Sequence, residues 1–227
     1  MEPQKSELKK RTSQIRVKYL CDRIFACLLL AFLWPAFLLM ALAVKLDDGG
    51  PVFFRQRRPG LHGRPFVIWK FRTMITDADA LLDAEGRVKG SVSRVTRVGK
   101  FLRQCSLDEL PQLINILCGE MSFIGPRPAL EEHFCRYTDR QKQRVNMKPG
   151  VTGLAQVDGR NTLKWSERIE RDLKYIEEYS LLLDLEILAR TVKVVLFRRG
   201  IVLDRNPEQV DDLPAACTPH AHDAKQN

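Results

Sequence analysis

The sequence lacks the common signatures of thiol and metal chemistry. Its six cysteines (Cys21, Cys27, Cys105, Cys118, Cys135 and Cys217) form no C-x-x-C pair, and no histidine or second cysteine stands at zinc-ligand spacing. Scattered thiols of this kind fit a reducing, cytosolic compartment better than a disulfide framework. The four histidines (His62, His133, His220, His222) are isolated, which disfavours a His-based triad or a His metal site. A carboxylate is then the expected acid, base or nucleophile. There is no Walker A sequence, no G-x-G-x-x-G and no internal repeat.

Acidic residues are also in the minority. Lys plus Arg number 37 against 28 Asp plus Glu, a formal charge of +9 over 227 residues. Such a balance points to an anionic partner: nucleic acid, an acidic membrane surface or a phosphorylated substrate. With 44% hydrophobic residues the chain can bury a core. A mean hydropathy of −0.24 excludes a polytopic membrane protein.

One apolar run stands out. Residues 24–44 carry no charge over 21 positions, a helical length of about 32 Å against a hydrocarbon core of about 30 Å. Pro35 lies near its midpoint, where it removes a hydrogen bond and disfavours a straight helix. Seven Lys or Arg precede the run in residues 1–23, and seven more (Lys45, Arg55, Arg57, Arg58, Arg64, Lys70, Arg72) follow it. A full span would carry one basic group across the bilayer against the positive-inside tendency. A helix broken at Pro35 that enters and leaves on the cytoplasmic face avoids this, so a re-entrant helix is expected. A cleaved signal peptide is not, because the run is long and no small-residue cleavage site follows.

The rest reads as an α+β domain, mainly helical with a short β-hairpin. Residues 1–16 are basic and expected to be mobile, 17–46 form the membrane helix, 47–203 the cytoplasmic catalytic domain, and 204–227 a disordered tail. Two short strands, 52–57 and 66–71, flank a glycine-rich loop. Helices are expected over about 76–85, 98–104, 111–118, 129–145, 163–179 and 181–198, with loops at 86–96, 119–128 and 148–161. The last helix is apolar enough to pack on the core or lie in the membrane interface.

Three segments carry candidate chemistry. Ser106-Leu107-Asp108-Glu109-Leu110-Pro111 places two carboxylates before a helix that Pro111 can open. Alone, Ser106 and Glu109 fit a capping box, but arginine- and glycine-rich loops surround the pair. In Gly125-Pro126-Arg127-Pro128 two prolines stiffen the loop that presents Arg127; a guanidinium so held suits bidentate phosphate binding, the alternative being an ordinary rigid turn with a solvated Arg. The three glycines between Lys148 and Asn161 allow backbone N–H groups to approach a phosphate, although the pattern alone is weak. On the next helix Trp165, Arg168, Asp172, Tyr175 and Tyr179 share a face, with an Arg168–Asp172 pair at i, i+4 spacing.

Taken in order, these segments resemble the bacterial sugar transferases, the monotopic polyprenol-phosphate phosphoglycosyl transferases. The likeness runs over about four-fifths of the chain. It includes residues 18–22, Gly50-Pro51-Val52-Phe53-Phe54-Arg55-Gln56, Lys70-Phe71-Arg72-Thr73-Met74, Thr96-Arg97-Val98-Gly99, the Asp108–Glu109 segment and both proline-glycine loops. Tyr19 and Trp34 depart from the family's usual Arg and Ser. The resemblance implies transfer of a phosphosugar from a UDP-sugar to undecaprenyl phosphate with release of UMP, at the cytoplasmic face of the bacterial inner membrane. It implies Mg²⁺ and a covalent intermediate on Asp108, with Glu109 contacting the metal. Arg127 and Arg160 would hold nucleotide or phosphate groups, Lys70, Arg72 and Arg103 would belong to a cationic wall, and Asp172 and Asp184 would support. Anionic lipids are expected partners and nucleic acid is not; a homodimer stays open, as do the sugar and the surface glycan made downstream. The rivals are a UDP-releasing glycosyltransferase, which lacks its Rossmann half-domains here, and a membrane-anchored nucleic-acid or regulatory protein, which lacks a recognition motif.

Overall fold

In the computed structural model the described residues are 2–76, 78, 93–159, 163–196 and 211–214. The first helix, α1 (Glu2–Asp48), is uninterrupted and contains Pro35. The break expected at Pro35 is therefore not an interruption of the helix. Proline deletes one N–H, and the inward face of α1 is packed on both sides of it, with Leu30, Leu33 and Phe37 on the core. The basic segment expected to be mobile is also helical from Glu2, in keeping with its Glu, Lys, Gln and Arg content.

Buried positions on α1 recur at helical spacing: Lys18, Asp22, Ala26 and Val44. The opposite face leaves Leu20, Phe25, Leu28, Phe32, Trp34, Leu39 and Leu46 exposed. Residues 11–48 qualify as a candidate membrane segment, with a mean hydropathy of 2.5 in the most apolar window. Both ends of the apolar run are tied to the same body. At the start, the Lys18 ammonium pairs with Asp184 at 2.7 Å and Ser122 Oγ donates to Asp22 at 2.6 Å. The Tyr19 hydroxyl accepts from the Lys148 N–H at 3.0 Å, while the Lys148 ammonium sits 4.2 Å from the Tyr19 ring centre. At the far end, Asp48 pairs with the buried Arg72 guanidinium and Asp47 accepts from the Val98 N–H at 2.9 Å.

The hairpin is as expected: β1 (Phe53–Pro59) pairs antiparallel with β2 (Pro65–Phe71), with Gln56 opposite Ile68. The predicted helix over about 76–85 lies largely outside the described residues. Next come α2 (Arg97–Gln104) and α3 (Gln112–Cys118), joined by a 3₁₀ turn, Leu107–Glu109. Thr96 caps α2, its side chain accepting from the Gly99 N–H. Asn115 fastens α3 to β2 by accepting from the Trp69 N–H at 3.1 Å and donating to the Val67 carbonyl at 2.7 Å.

Two three-residue strands lie where loops were expected. β3 (Ser122–Ile124) pairs in parallel with β4 (Gly150–Thr152). The glycines expected to approach a phosphate instead let these backbones touch. A Cβ on Gly150 would fall 2.1 Å from the Gly125 nitrogen, and one on Gly153 would fall 2.2 Å from the Gly125 carbonyl oxygen. The helix expected over 129–145 is broken into α4 (Glu131–Phe134), α5 (Asp139–Lys142) and a 3₁₀ turn, Gln143–Asn146. Thr138 and Gln141 form a capping box that restarts the chain. Then follow α6 (Leu154–Asp158), α7 (Trp165–Glu177) and α8 (Leu181–Leu196). Within the stretch expected as a tail, residues 211–214 are described; Leu213 is buried against Ala129, Tyr137, Ile169 and Leu173.

Lys18 and Asp184 are both nearly buried, at 4% and 9% side-chain exposure. Removing one partner of such a pair leaves an uncompensated charge, a cost of about 3 kcal/mol or more. Lys18→Ala is expected to lower the melting temperature of the detergent-solubilised protein markedly, whereas Val17→Ala, half-exposed one residue earlier, leaves it nearly unchanged.

Candidate active site

Asp108 and Glu109 sit in the 3₁₀ turn that follows α2. Ser106, which precedes the turn, has φ +57° and makes no side-chain capping bond. The capping-box role therefore does not account for the acids. A non-glycine residue in the left-handed region costs about 1 kcal/mol or more, and such strain concentrates at functional sites. Arg103, one turn earlier on α2, donates from Nε to Thr73 Oγ1 at 2.8 Å. α2 itself packs tightly on that segment, because a Cβ on Gly99 would fall 2.2 Å from the Thr73 carbonyl oxygen.

The Glu109 carboxylate joins two distant segments. Its Oε1 accepts from Lys70 Nζ on β2 at 2.7 Å and from an Arg127 guanidinium nitrogen at 3.2 Å. Burial alone would raise its pKa, but Lys70 and Arg127 outweigh burial and hold it down at about 2. Asp108 shifts the other way. Burial, followed by the adjacent Glu109 charge, raises it above the ordinary aspartate value against the pull of Lys70, Arg103 and Arg127. Two neighbouring carboxylates with opposed shifts are suited to different roles. Glu109 is a fixed anion, while Asp108 is the more basic and hence the better oxygen nucleophile.

Both acids line one cavity of about 1080 Å³, just above the usual range for ligand pockets. Its cationic wall comprises Arg58, Lys70, Arg72, Arg103, Arg127, Arg144 and Arg168. Its lining also includes Leu29 and Leu33 of α1, and Gln156, Trp165 and Asp172.

The cavity thus gathers Asp108, Glu109, Lys70, Arg72, Arg103, Arg127 and Asp172 of the expected site residues. Arg72 is nonetheless a clamp, its guanidinium occupied by Asp48 and by the Met74 carbonyl at 3.1 Å. Asp184 does not line the cavity; it accepts from Lys18 and from the Tyr175 hydroxyl, each at 2.7 Å. Arg160 lies outside the described residues. The Arg168–Asp172 pairing is replaced. Asp172 pairs with the buried Arg144, and Arg168 donates to the Leu163 carbonyl at 3.0 Å and sits over the Trp165 ring at 4.7 Å. Burial raises the Asp172 pKa to about 6 even though Arg144 pulls it down.

Sequence reasoning passed over Arg58 and Arg144. Arg58 donates to Gln56 Oε1 at 2.6 Å, and burial together with Arg127 lowers its pKa to about 10. Its signal was its place beside Gln56 in the hairpin; Arg144 had none, being one of several basic residues between Arg140 and Lys148. Among the described residues no three His, Cys, Asp or Glu side chains cluster as metal ligands. A Mg²⁺ ion that arrives with phosphates requires only one or two protein carboxylates, and Glu109 would supply one.

A carboxylate pair in a cationic cavity that an apolar helix helps to line is chemically suited to phosphorylated ligands. Comparison with known proteins agrees. The bacterial sugar transferase model matches residues 13–198, and the chain belongs to that family. It is 43% identical over 185 residues to the uncharacterized sugar transferase EpsL of Bacillus subtilis, covering 82% of this chain and 90% of that protein. It is 45% identical over 189 residues to the UDP-glucose:undecaprenyl-phosphate glucose-1-phosphate transferase of Xanthomonas campestris, covering 79% of this chain but 38% of that longer protein. The exopolysaccharide production protein ExoY of Sinorhizobium fredii is 41% identical over 192 residues, with 79% and 85% covered.

Replacing Glu109 by Gln removes the negative neighbour of Asp108, which favours the ionised form. The Asp108 pKa is therefore expected to fall in Glu109→Gln, read by ¹³C NMR of carboxyl-labelled protein in detergent. An Asp108 pKa that stays or rises would contradict the electrostatic assignment.

Proposed function

We propose that the chain transfers a phosphosugar from a UDP-sugar to undecaprenyl phosphate, releasing UMP, by two displacements at Asp108. The observation that carries this reading is a single cavity shared by the Asp108–Glu109 pair, a cationic wall and two leucines of the membrane helix. A soluble nucleotide sugar and a lipid phosphate can both reach such a place. In the first step Asp108 Oδ attacks the phosphorus that bears the sugar. The bond from that phosphorus to the bridging oxygen breaks, and its electron pair leaves on UMP. In the second, an oxygen of undecaprenyl phosphate attacks the same phosphorus, the bond to Asp108 breaks, and the carboxylate is restored. No proton transfer is required, since both nucleophiles are anionic, and one site serves two bulky substrates in turn. Arg127, Arg103 and Lys70 would neutralise the phosphates, and Arg160 belongs with them by family likeness.

Glu109, ionised throughout the physiological range, would contact Mg²⁺ and leave Asp108 free to attack. When bound, the ion would supply neutralisation of pyrophosphate charge. The relatives' names make hexoses the donor class to try first, and UDP-glucose the first among them. They also favour a role in surface polysaccharide synthesis.

The membrane arrangement that fits best is monotopic, with the exposed face of the unbroken α1 immersed from the cytoplasmic side of the inner membrane. α1 lies along the catalytic body and is tied to it at both Lys18 and Asp48, so a full span would draw that body into the bilayer. Immersion of the exposed apolar face alone keeps both basic flanks on one side, where they would meet anionic lipids.

Purified protein with Mg²⁺, undecaprenyl phosphate and a panel of UDP-sugars tests the reading. Lipid-dependent release of UMP from one donor is expected, falling at least about a thousandfold in Asp108→Ala. Release of UDP in place of UMP would assign the chain to the glycosyltransferases.

A further inference from the structure

The loop that carries Arg127 is held by its carbonyls. The Pro126 carbonyl accepts from the Gly150 N–H at 2.9 Å, the Arg127 carbonyl from an Arg144 guanidinium nitrogen at 2.8 Å, and the Pro128 carbonyl from Arg58 at 3.4 Å. Three consecutive acceptors are thus fixed by three separate elements. The central one is the most deeply set. Arg144 has 3% side-chain exposure and its partner Asp172 has 1%. Its other terminal nitrogen donates to the buried Tyr137 hydroxyl at 2.7 Å, and the guanidinium lies 5.5 Å from that ring centre. The fork therefore has one arm on Tyr137 and one shared by Asp172 and the Arg127 carbonyl. The side chain of Arg127, 41% exposed, reaches Glu109 Oε1 from this fixed backbone.

We infer that Arg144 is a positioning residue for phosphate recognition: braced by Asp172 on α7, it fixes the Arg127 backbone so that the Arg127 guanidinium points into the cavity. This rests on the proposed function, since it assigns Arg127 to a phosphate of the nucleotide. The geometry favours Arg over Lys at 144, because three partners lie in different directions from one planar group. A lysine could keep the Asp172 charge paired without also reaching the Arg127 carbonyl.

The test is a double-mutant cycle on binding of UMP, which requires no turnover and no lipid, measured by calorimetry on detergent-solubilised protein with Mg²⁺. Arg144→Lys is expected to weaken UMP about tenfold in the wild-type background and less than twofold in Arg127→Ala, because its effect passes through Arg127. Tyr137→Phe, which leaves the bond to the Arg127 carbonyl in place, is expected to keep UMP affinity within twofold. Where Arg144→Lys does not fold, Asp172→Asn takes its place in the same cycle. Equal losses in both backgrounds, or a Tyr137→Phe loss as large as that of Arg144→Lys, would overturn the inference. Wild-type protein that does not bind UMP would overturn the functional reading itself.

Discussion

Glu109 is the point at which the site is tied together. One carboxylate oxygen accepts from Lys70 on the hairpin and from Arg127 on the proline-bounded loop, so segments about 40 and 20 residues away in sequence meet at one anion. Burying that charge would be unfavourable without two cations beside it. With them the anion persists at neutral pH and adds to burial, the larger cause, in raising the pKa of its neighbour Asp108. Lys70 and Arg127 are at the same time held where a substrate phosphate would find them. Glu109 thus bears both on where the cations of the cavity sit and, after burial, on the basicity of Asp108.

Backbone contact supports this arrangement from behind. Gly125, Gly150 and Gly153 meet at the β3–β4 junction with no room for a Cβ, and the loop leaving that junction carries Arg127. Helix α1 reaches the same junction through Tyr19 on Lys148 and Asp22 on Ser122. Tyr19, which departs from the family's usual arginine, has a defined task here. Its hydroxyl accepts a backbone N–H and its ring faces an ammonium. The anchoring of α1 and the position of Arg127 are in this way parts of one contact network.

Much of the site was legible in the sequence because its parts are local. Asp108 and Glu109 are adjacent, Arg127 stands between prolines, and the short β-branched and aromatic run at 66–71 places Lys70 on a strand. What could not be read depends on distant partners. Strands of three residues give no periodicity, so β3 and β4 passed for loops and their glycines for phosphate contacts. Asp172 was placed with Arg168 by helical spacing, yet it turns inward to Arg144, 28 positions away. Asp184 was grouped with the site but balances Lys18, across 166 positions. The division of the 129–145 region was readable after all, in the Thr138-x-x-Gln141 capping box.

The central claim is that Asp108 carries the phosphosugar between two substrates. Intact-protein mass spectrometry after mixing with Mg²⁺ and the active UDP-sugar, in the absence of undecaprenyl phosphate, addresses it directly. The account predicts a mass increase of one phosphosugar with release of one UMP per active site, discharged by added undecaprenyl phosphate and absent in Asp108→Asn. Full turnover with no adduct at any time, or an adduct that persists in Asp108→Asn, would contradict it.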